Sequence, residues 1–271
     1  MPYEIHSIGT RTELRQTFDN VAHLYDEMRP SYPGEVFSDV IEISGVRPAS
    51  RILEIGCGTG HATQVFAAQG LAIHGVELGA KMAAIARERL KPYPRVAIEV
   101  ADFDVWTTAG RYDLVYSATA YHWLNPATRE QRIAAVLDPE GWLAIWRNRH
   151  IRNGSCDEFL DEARVIYAEE APELVKKRAL LPGPNEVTET ERDELTQQYF
   201  GEPVLRVYLW SRPYTAAEYV QMLNTHSDHQ LLAADRRARL FERLAGLIDA
   251  KYGGSVRKDY ATLLQMARRK S

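Results

Sequence analysis

The sequence predicts an α/β fold: a mostly parallel sheet with helices on both faces, plus a helical cap inserted after the fifth strand. Three observations carry this. Between residues 52 and 146, short apolar runs alternate with segments of helical period, the pattern of strands joined by crossover helices. The first run, Ile52 to Ile55, passes straight into Gly56-Cys57-Gly58-Thr59-Gly60, and a helix starts near His61 or Ala62. Acidic residues, Glu77 and Asp102, stand at the ends of the second and third runs, the edge where open α/β sheets hold their ligands.

Bulk properties narrow the class. The 271 residues are 45% hydrophobic, enough for a sizeable core, and the net charge of −4 argues against a general nucleic-acid surface. Two cysteines, Cys57 and Cys156, do not make a disulfide framework. The opening MPYEIHSIGTRTELRQ lacks the apolar run of a signal peptide, and no stretch approaches 18 apolar residues. The expectation is a cytoplasmic protein, monomer or homodimer, without a membrane partner.

In chain order, residues 12–27 place Leu14, Phe18, Val21, Ala22 and Tyr25 at helical spacing, and Pro30 and Pro33 end that helix. A second helix runs from about Glu35 to Ser44. The Pro-bounded segment between them can hold Arg29, Tyr25 and Tyr32 over a ligand, or leave Arg29 solvated and the tyrosines packed. Glycines at 56, 58 and 60 let the backbone take positive φ and let a ligand lie against the main chain, facing the N–H groups that open the next helix. Leu71 to Val76 is a second strand and Gly79 to Leu90 a helix. Glu77 suits the two hydroxyls of a ribose.

Val96 to Ala101 is a third strand, followed by Asp102 and Phe103, with Asp104 a competitor for the role of Asp102. Tyr112 to Ser117 is a fourth strand, Thr128 to Leu137 a helix, Asp138 to Gly141 a turn, and Trp142 to Trp146 the fifth strand. Arg147, Arg149, His150 and Arg152 follow, either as solvated charges or as a seat for an anionic acceptor. Residues 155–175 form a helix, LPGPNE a loop, and ETERDELTQQYF a short helix. Pro203 to Trp210 is a sixth strand. Thr215 with Glu218 makes a capping pattern for the helix Ala216 to Leu223. A long amphipathic helix, Leu231 to Tyr252, stops at Gly253-Gly254, and Val256 to Met266 is a last edge strand.

The ligand follows from the glycine spacing. A dinucleotide fingerprint starting at Gly56 needs its third glycine at 61, where this chain has His. The pattern Glu54-x-Gly-x-Gly-x-Gly instead resembles motif I of the class I S-adenosylmethionine (SAM) dependent methyltransferases. The stretches Tyr25-Asp26-x-x-Arg29-Pro30-x-Tyr32-Pro33 and Ser117 to Pro126 are similar to the trans-aconitate methyltransferase branch, which acts on small molecules. The resemblance implies a Rossmann-like seven-stranded sheet divided into a 1–45 lid segment, a 46–150 core, a 151–200 cap and a 201–271 completion of the core. It implies a cofactor site of Tyr25, Arg29, Glu54, Gly56, Cys57, Gly58, Gly60, Glu77, Leu78, Asp102, Phe103, Ala118 and His122. Glu54 would help hold the SAM ammonium, and Asp102 would face the adenine amine.

The implied reaction is methyl transfer from SAM to a carboxylate or hydroxyl oxygen of a small acceptor, leaving S-adenosylhomocysteine. His122 is the candidate base, because histidine changes charge near neutrality; the alternative is a pocket-shaping histidine. The base-gripping Asn-Pro-Pro-aromatic signature is absent after the fourth strand, so no nucleic-acid substrate is expected. No cluster of His and carboxylates shows ligand spacing, so no metal is expected. A methyltransferase acting on protein or RNA and a non-catalytic SAM-binding module are the competing readings.

Overall fold

The computed structural model describes residues 19, 22–175, 181–191, 195 and 197–270. Among them one seven-stranded sheet runs in the order β3-β2-β1-β4-β5-β7-β6. The strands are β1 (Arg51–Ile55), β2 (Ala72–Glu77), β3 (Val96–Val100), β4 (Tyr112–Ala118), β5 (Leu137–Ile151), β6 (Val204–Thr215) and β7 (Ser255–Arg268). The helices are α1 (Ala22–Met28), α2 (Gly34–Ser44), α3 (His61–Ala68), α4 (Ala80–Leu90), α5 (Arg129–Val136), α6 (Asp157–Glu170), α7 (Pro172–Val175), α8 (Pro184–Glu191), α9 (Ala216–Asn224), α10 (Ser227–Gln230) and α11 (Ala234–Lys251). β1 pairs in parallel with β2 and β4, β2 with β3, and β4 with β5.

The contacts divide the chain into two compact units. One holds residues 31–148, 190–208 and 262–271. The other holds residues up to Pro30 together with Arg149–Glu189 and Leu209–Ala261. The divisions fall inside β5, near the end of α8, and inside β6 and β7.

In the first unit, strand alternation sorts side chains onto two cores. Ile52, Leu114, Tyr116, Ala144 and Trp146 pack under Val36, Phe37 and Val40 of α2, Phe66 of α3, and Ala86 and Leu90 of α4. Leu53, Ile55, Val115, Leu143 and Ile145 face the opposite way, against Phe103, Leu124 and Ile133. Helices therefore cover both faces, as an all-parallel βαβ arrangement requires. α2 ends at Gly45, whose φ of +67° lets its N–H bond Ile41 O at 2.9 Å.

The second unit has its own core. Phe159, Ala163 and Tyr167 of α6 pack with Tyr219 and Met222 of α9, Leu240, Leu244 and Ile248 of α11, and Tyr260. Thr215 caps α9 with the reciprocal pair expected from T-x-x-E: its hydroxyl accepts the Glu218 N–H while Glu218 accepts the Thr215 N–H.

Five element expectations change. β7 is interior, between β5 and β6, and not an edge strand. Its unbroken burial from Lys258 to Ala267 is the mark of a strand covered on every side, and Pro213, which lacks a ladder donor, sits in the outer strand β6. The 138–141 turn lies within β5 as a bulge: Tyr112 pairs with Leu137, but Leu114 pairs with Trp142. Glu140, with φ of +68°, absorbs the extra residues. α8 starts at Pro184, inside the expected LPGPNE loop, since proline is tolerated in a first helical turn. The long helix begins at Ala234, and residues 227–230 form a separate turn of helix. Of the helix expected over ETERDELTQQYF, residues 189–191 are helical, 195 and 197–200 are not, and 192–194 and 196 lie outside the described residues, as do 12–18, 20 and 21 of the first helix. No helix among the described residues is long and apolar enough to cross a membrane.

Candidate functional site

The first unit gathers most of the expected residues at the carboxyl ends of β1, β2, β3 and β4. The loop after β1 turns back sharply because three of its residues adopt left-handed backbone. Gly56, Gly58 and Gly60 have φ of +71°, +56° and +85°. A Cβ on Gly56 would lie 2.4 Å from the Ala120 Cβ, so only glycine fits there. Gly56 N–H also bonds Val76 O at 2.8 Å, fixing the loop to β2.

Glu77 closes this cradle. One carboxylate oxygen accepts the Gly58 N–H and the other the Gly79 N–H, each at 2.8 Å. A carboxylate offers about four acceptor sites, enough to take hydroxyl donors as well as these two N–H groups. Leu78, next to it, is exposed. Cys57 turns away from the loop: its thiol is buried and would contact a Cβ on Gly75 at 3.1 Å. Burial, and next the Glu54 and Glu77 charges, push that thiol well above its ordinary range. Cys57 therefore has its main chain, not its sulfur, to offer a ligand.

Glu54 is 1% exposed. Its Oε2 accepts from the Thr63 hydroxyl at 2.5 Å and the Tyr116 hydroxyl at 2.7 Å. Burial pushes its carboxyl up to about 7, against the lowering effect of those two donors. The glycine-loop hydroxyl of Thr59 is buried with no hydrogen-bond partner among the described residues. Sequence reasoning did not single out Thr59; its position inside the loop was the available signal.

At the end of β3, Asp102 accepts the Asp104 N–H at 3.1 Å. Asp104 itself accepts the Asn125 N–H at 3.0 Å. The two acids thereby separate in role, with Asp104 tying down the 121–126 segment. The Phe103 ring is buried and stacks on Trp106 at 6.0 Å.

Ala118 ends β4, and Ser117 donates to Ile55 O at 2.9 Å, binding β4 to β1 beneath the loop. Thr119 follows with φ of +57°, a conformation costly for a β-branched residue, held by Trp146 O at 2.7 Å and by the Tyr32 hydroxyl at 2.8 Å. His122 sits on the 3-10 turn Tyr121–Trp123, its ring 4.9 Å from that of Trp123. Thr119, His122, Trp146, Arg147 and Gln265 are among the residues that wall a pocket at this edge. The Trp146 indole N–H is buried and has no acceptor among the described residues.

Tyr25 and Arg29 belong to the second unit. There the Arg29 guanidinium lies 4.9 Å over the Tyr25 ring and donates to Thr225 O at 3.3 Å. The expectation that no His and carboxylate cluster has ligand spacing fails in one place. The short turn of α10 brings donor atoms of His226, Asp228 and His229 within 4.8 Å of one another.

Comparison with known proteins shows what the segment bearing this cradle is similar to. The family description "methyltransferase domain" matches residues 52–141, the segment from β1 into the β5 bulge. The chain carries a methyltransferase domain over those residues. It is 28% identical to an uncharacterized methyltransferase of Mycobacterium bovis over 83% of this chain and 88% of that one. It is 34% identical to a trans-aconitate 2-methyltransferase of Methylobacterium radiotolerans over 34% of this chain and 36% of that one. A putative type II methyltransferase of Anaeromyxobacter dehalogenans shares the fold with a TM-score of 0.56 at 20% identity, over 89% of this chain and 97% of that one.

A probable S-adenosylmethionine-dependent methyltransferase of Saccharomyces cerevisiae is 30% identical over 49% of this chain and 46% of that one, and the cofactor in its name is S-adenosylmethionine. The residues present fit it: a backbone cradle that a Cβ would fill, an orphaned Thr59 hydroxyl within it, and carboxylates at the ends of β2 and β3 for hydroxyl and amine donors. Bound there, SAM supplies an electrophilic methyl group on a sulfonium sulfur.

Proposed function

We propose that this methyltransferase acts on an oxygen of a small, anionic acceptor, a carboxylate being favoured over a hydroxyl. The observation that carries the reading is the pocket walled by Thr119, His122, Trp146 and Arg147, whose lining residues include the Arg147 guanidinium and the buried Trp146 indole, the N–H of the indole having no acceptor among the described residues. Both are donors, and an unsatisfied buried N–H costs free energy that an acceptor oxygen would recover. The name of the M. radiotolerans relative, which specifies a tricarboxylate, supports the same substrate class.

In this reading Gly56, Gly58, Thr59 and Gly60 bind the cofactor by main chain and hydroxyl, Glu77 takes the ribose, and Asp102 the adenine amine. Phe103, its ring held in the core, contributes its main chain. Glu54 acts from beneath, fixing Thr63 and Tyr116 and, in its ionised form, lending negative charge to the ammonium end. A carboxylate acceptor is already ionised, so the protein aligns it and excludes water, and His122 orients it. For a hydroxyl acceptor, His122 is the base.

The test is incubation of the protein with methyl-labelled SAM and separate pools of carboxylic acids, alcohols and amines, read by mass spectrometry. Label in a carboxylate ester supports the proposal. Label confined to protein, RNA or amines, or SAM binding without transfer to any pool, overturns it. With the acceptor in hand, His122→Ala lowers kcat by about tenfold or more while S-adenosylhomocysteine affinity stays within about twofold. An equal loss of both would make His122 part of the cofactor site.

A further inference from the structure

In the second unit two histidines and a carboxylate meet on one short turn and take no part in the chemistry above. His226 is the N-cap residue of α10, and Asp228 and His229 lie on the turn itself. Residues three apart on a helical turn share a face, and donor atoms of all three groups fall within 4.8 Å of one another. The His226 and His229 rings stand 5.6 Å apart, inclined at 71°. Two imidazoles on one zinc ion, each bound at about 2.0–2.1 Å, hold their ring centres roughly 5 Å apart.

His229 has the most telling geometry. It is fully buried, with Nε2 2.8 Å from the Tyr167 hydroxyl and Nδ1 2.7 Å from an Asp228 oxygen. When Nε2 donates to Tyr167, Nδ1 turns a lone pair on the carboxylate, and two acceptors at that distance need a cation between them. A proton fills that place when no metal does, and a metal ion takes it by displacing the proton. The Tyr167 bond then fixes the ring tautomer and its direction, as outer hydrogen bonds do at metal sites. His226 is partly exposed at the start of the turn and the Asp228 side chain is 31% exposed, so an ion has a path in and the two groups have room to close on it. Arg29 acts on His226 with the wrong sign for a cation, but its guanidinium is turned to Thr225 O and the Tyr25 ring, and Asp228 acts on His226 with the right one. Two imidazole nitrogens and one carboxylate oxygen are a donor set that suits zinc, with a fourth position left for water.

We propose that His226, Asp228 and His229 form a binding site for one divalent transition-metal ion, zinc fitting the donors best. Bound there, the ion pins α10 to α6 through His229 and Tyr167. The site lies wholly within this unit and is independent of the cofactor and of the methyl acceptor.

The test is calorimetric titration of the full-length protein, freed of metal by dialysis against a chelator, with zinc alone and, in parallel, with magnesium alone. One zinc per chain at micromolar affinity or tighter, without saturable magnesium binding, supports the site. His226→Gln and Asp228→Asn, both at partly exposed positions, each remove a ligand and weaken zinc binding by about a hundredfold. Tyr167→Phe keeps the ring but removes the outer hydrogen bond, and weakens it by about tenfold. In NMR of the protein labelled at the histidine ring nitrogens, the His226 and His229 signals move together on loading with zinc; this readout decides alone should the variants fail to fold. No saturable zinc binding, affinity unchanged in both ligand variants, or a zinc-induced shift of His226 without His229 would overturn the proposal. Equal binding of magnesium would do so as well, since a site for oxygen-seeking ions has no need of imidazole.

Discussion

The two units reach a folded core by different routes. The unit around β1 to β4 is built mainly from one continuous stretch, 31–148, in which each strand pairs with a strand close by in sequence or with the central β1. The helical unit assembles from three segments separated by up to about 120 residues, and its core joins α6 to α9 and α11. Their candidate sites differ in the same sense. The glycine cradle is made of backbone, fixed by one decapeptide and the Glu77 carboxylate. The His226, Asp228 and His229 group is made of side chains and takes its setting from Tyr167, 62 residues before His229. Local sequence thus encodes a backbone site outright, whereas a side-chain site is visible only once distant segments meet.

That contrast can be broken first at the cores. Phe66→Ala in the first unit and Phe159→Ala in the second remove fully buried rings. Each should cost about 3–5 kcal/mol, read as lost hydrogen-exchange protection concentrated in its own unit; equal losses in both units from either variant would erase the distinction. Next comes Glu54. Its folded carboxyl is raised to about 7 from 4.5, so the folded state binds a proton that the unfolded chain releases. Its contribution to stability is therefore present below about 4.5 and lost as the pH rises through about 7, on the order of 3 kcal/mol in all. Glu54→Gln should flatten that fall in a pH series of urea unfolding, and an unchanged slope would mean the carboxylate is ionised in the fold.

Gly56→Val tests whether the cradle is backbone. The new side chain meets Ala120 and must adopt positive φ. S-adenosylhomocysteine affinity should fall by about a hundredfold or more by calorimetry, and retained affinity would move the cofactor elsewhere. The smallest effect belongs to the helical unit. Thr215→Ala removes the α9 cap at a cost of about 1 kcal/mol, with cofactor affinity unchanged.

Much of the chain was legible because its signals are local. Gly56, Gly58 and Gly60 announce positive φ, the T-x-x-E of Thr215 and Glu218 announces a cap, and alternating apolar residues announce strands. Glu77 was expected to serve a ribose from its place at a strand end; what the structure shows is its hold on the Gly58 and Gly79 N–H groups. Other features left no such trace. β7 looked like an edge strand because nothing in its residues states which strands will flank it, and the 138–141 turn gave no sign that pairing would resume across it as a bulge. Thr59 was passed over because a hydroxyl becomes informative only when it is buried without a partner.

By itself the sequence determined the alternation of strands and helices, the glycine cradle and the acids at the ends of β2 and β3, all set by backbone geometry within a few residues. The tertiary structure alone decided which oxygen Thr63 and Tyr116 share on Glu54, the different duties of Asp102 and Asp104, and the meeting of His229 with Tyr167. Those depend on burial and on contacts between residues far apart in the chain, which no local pattern carries.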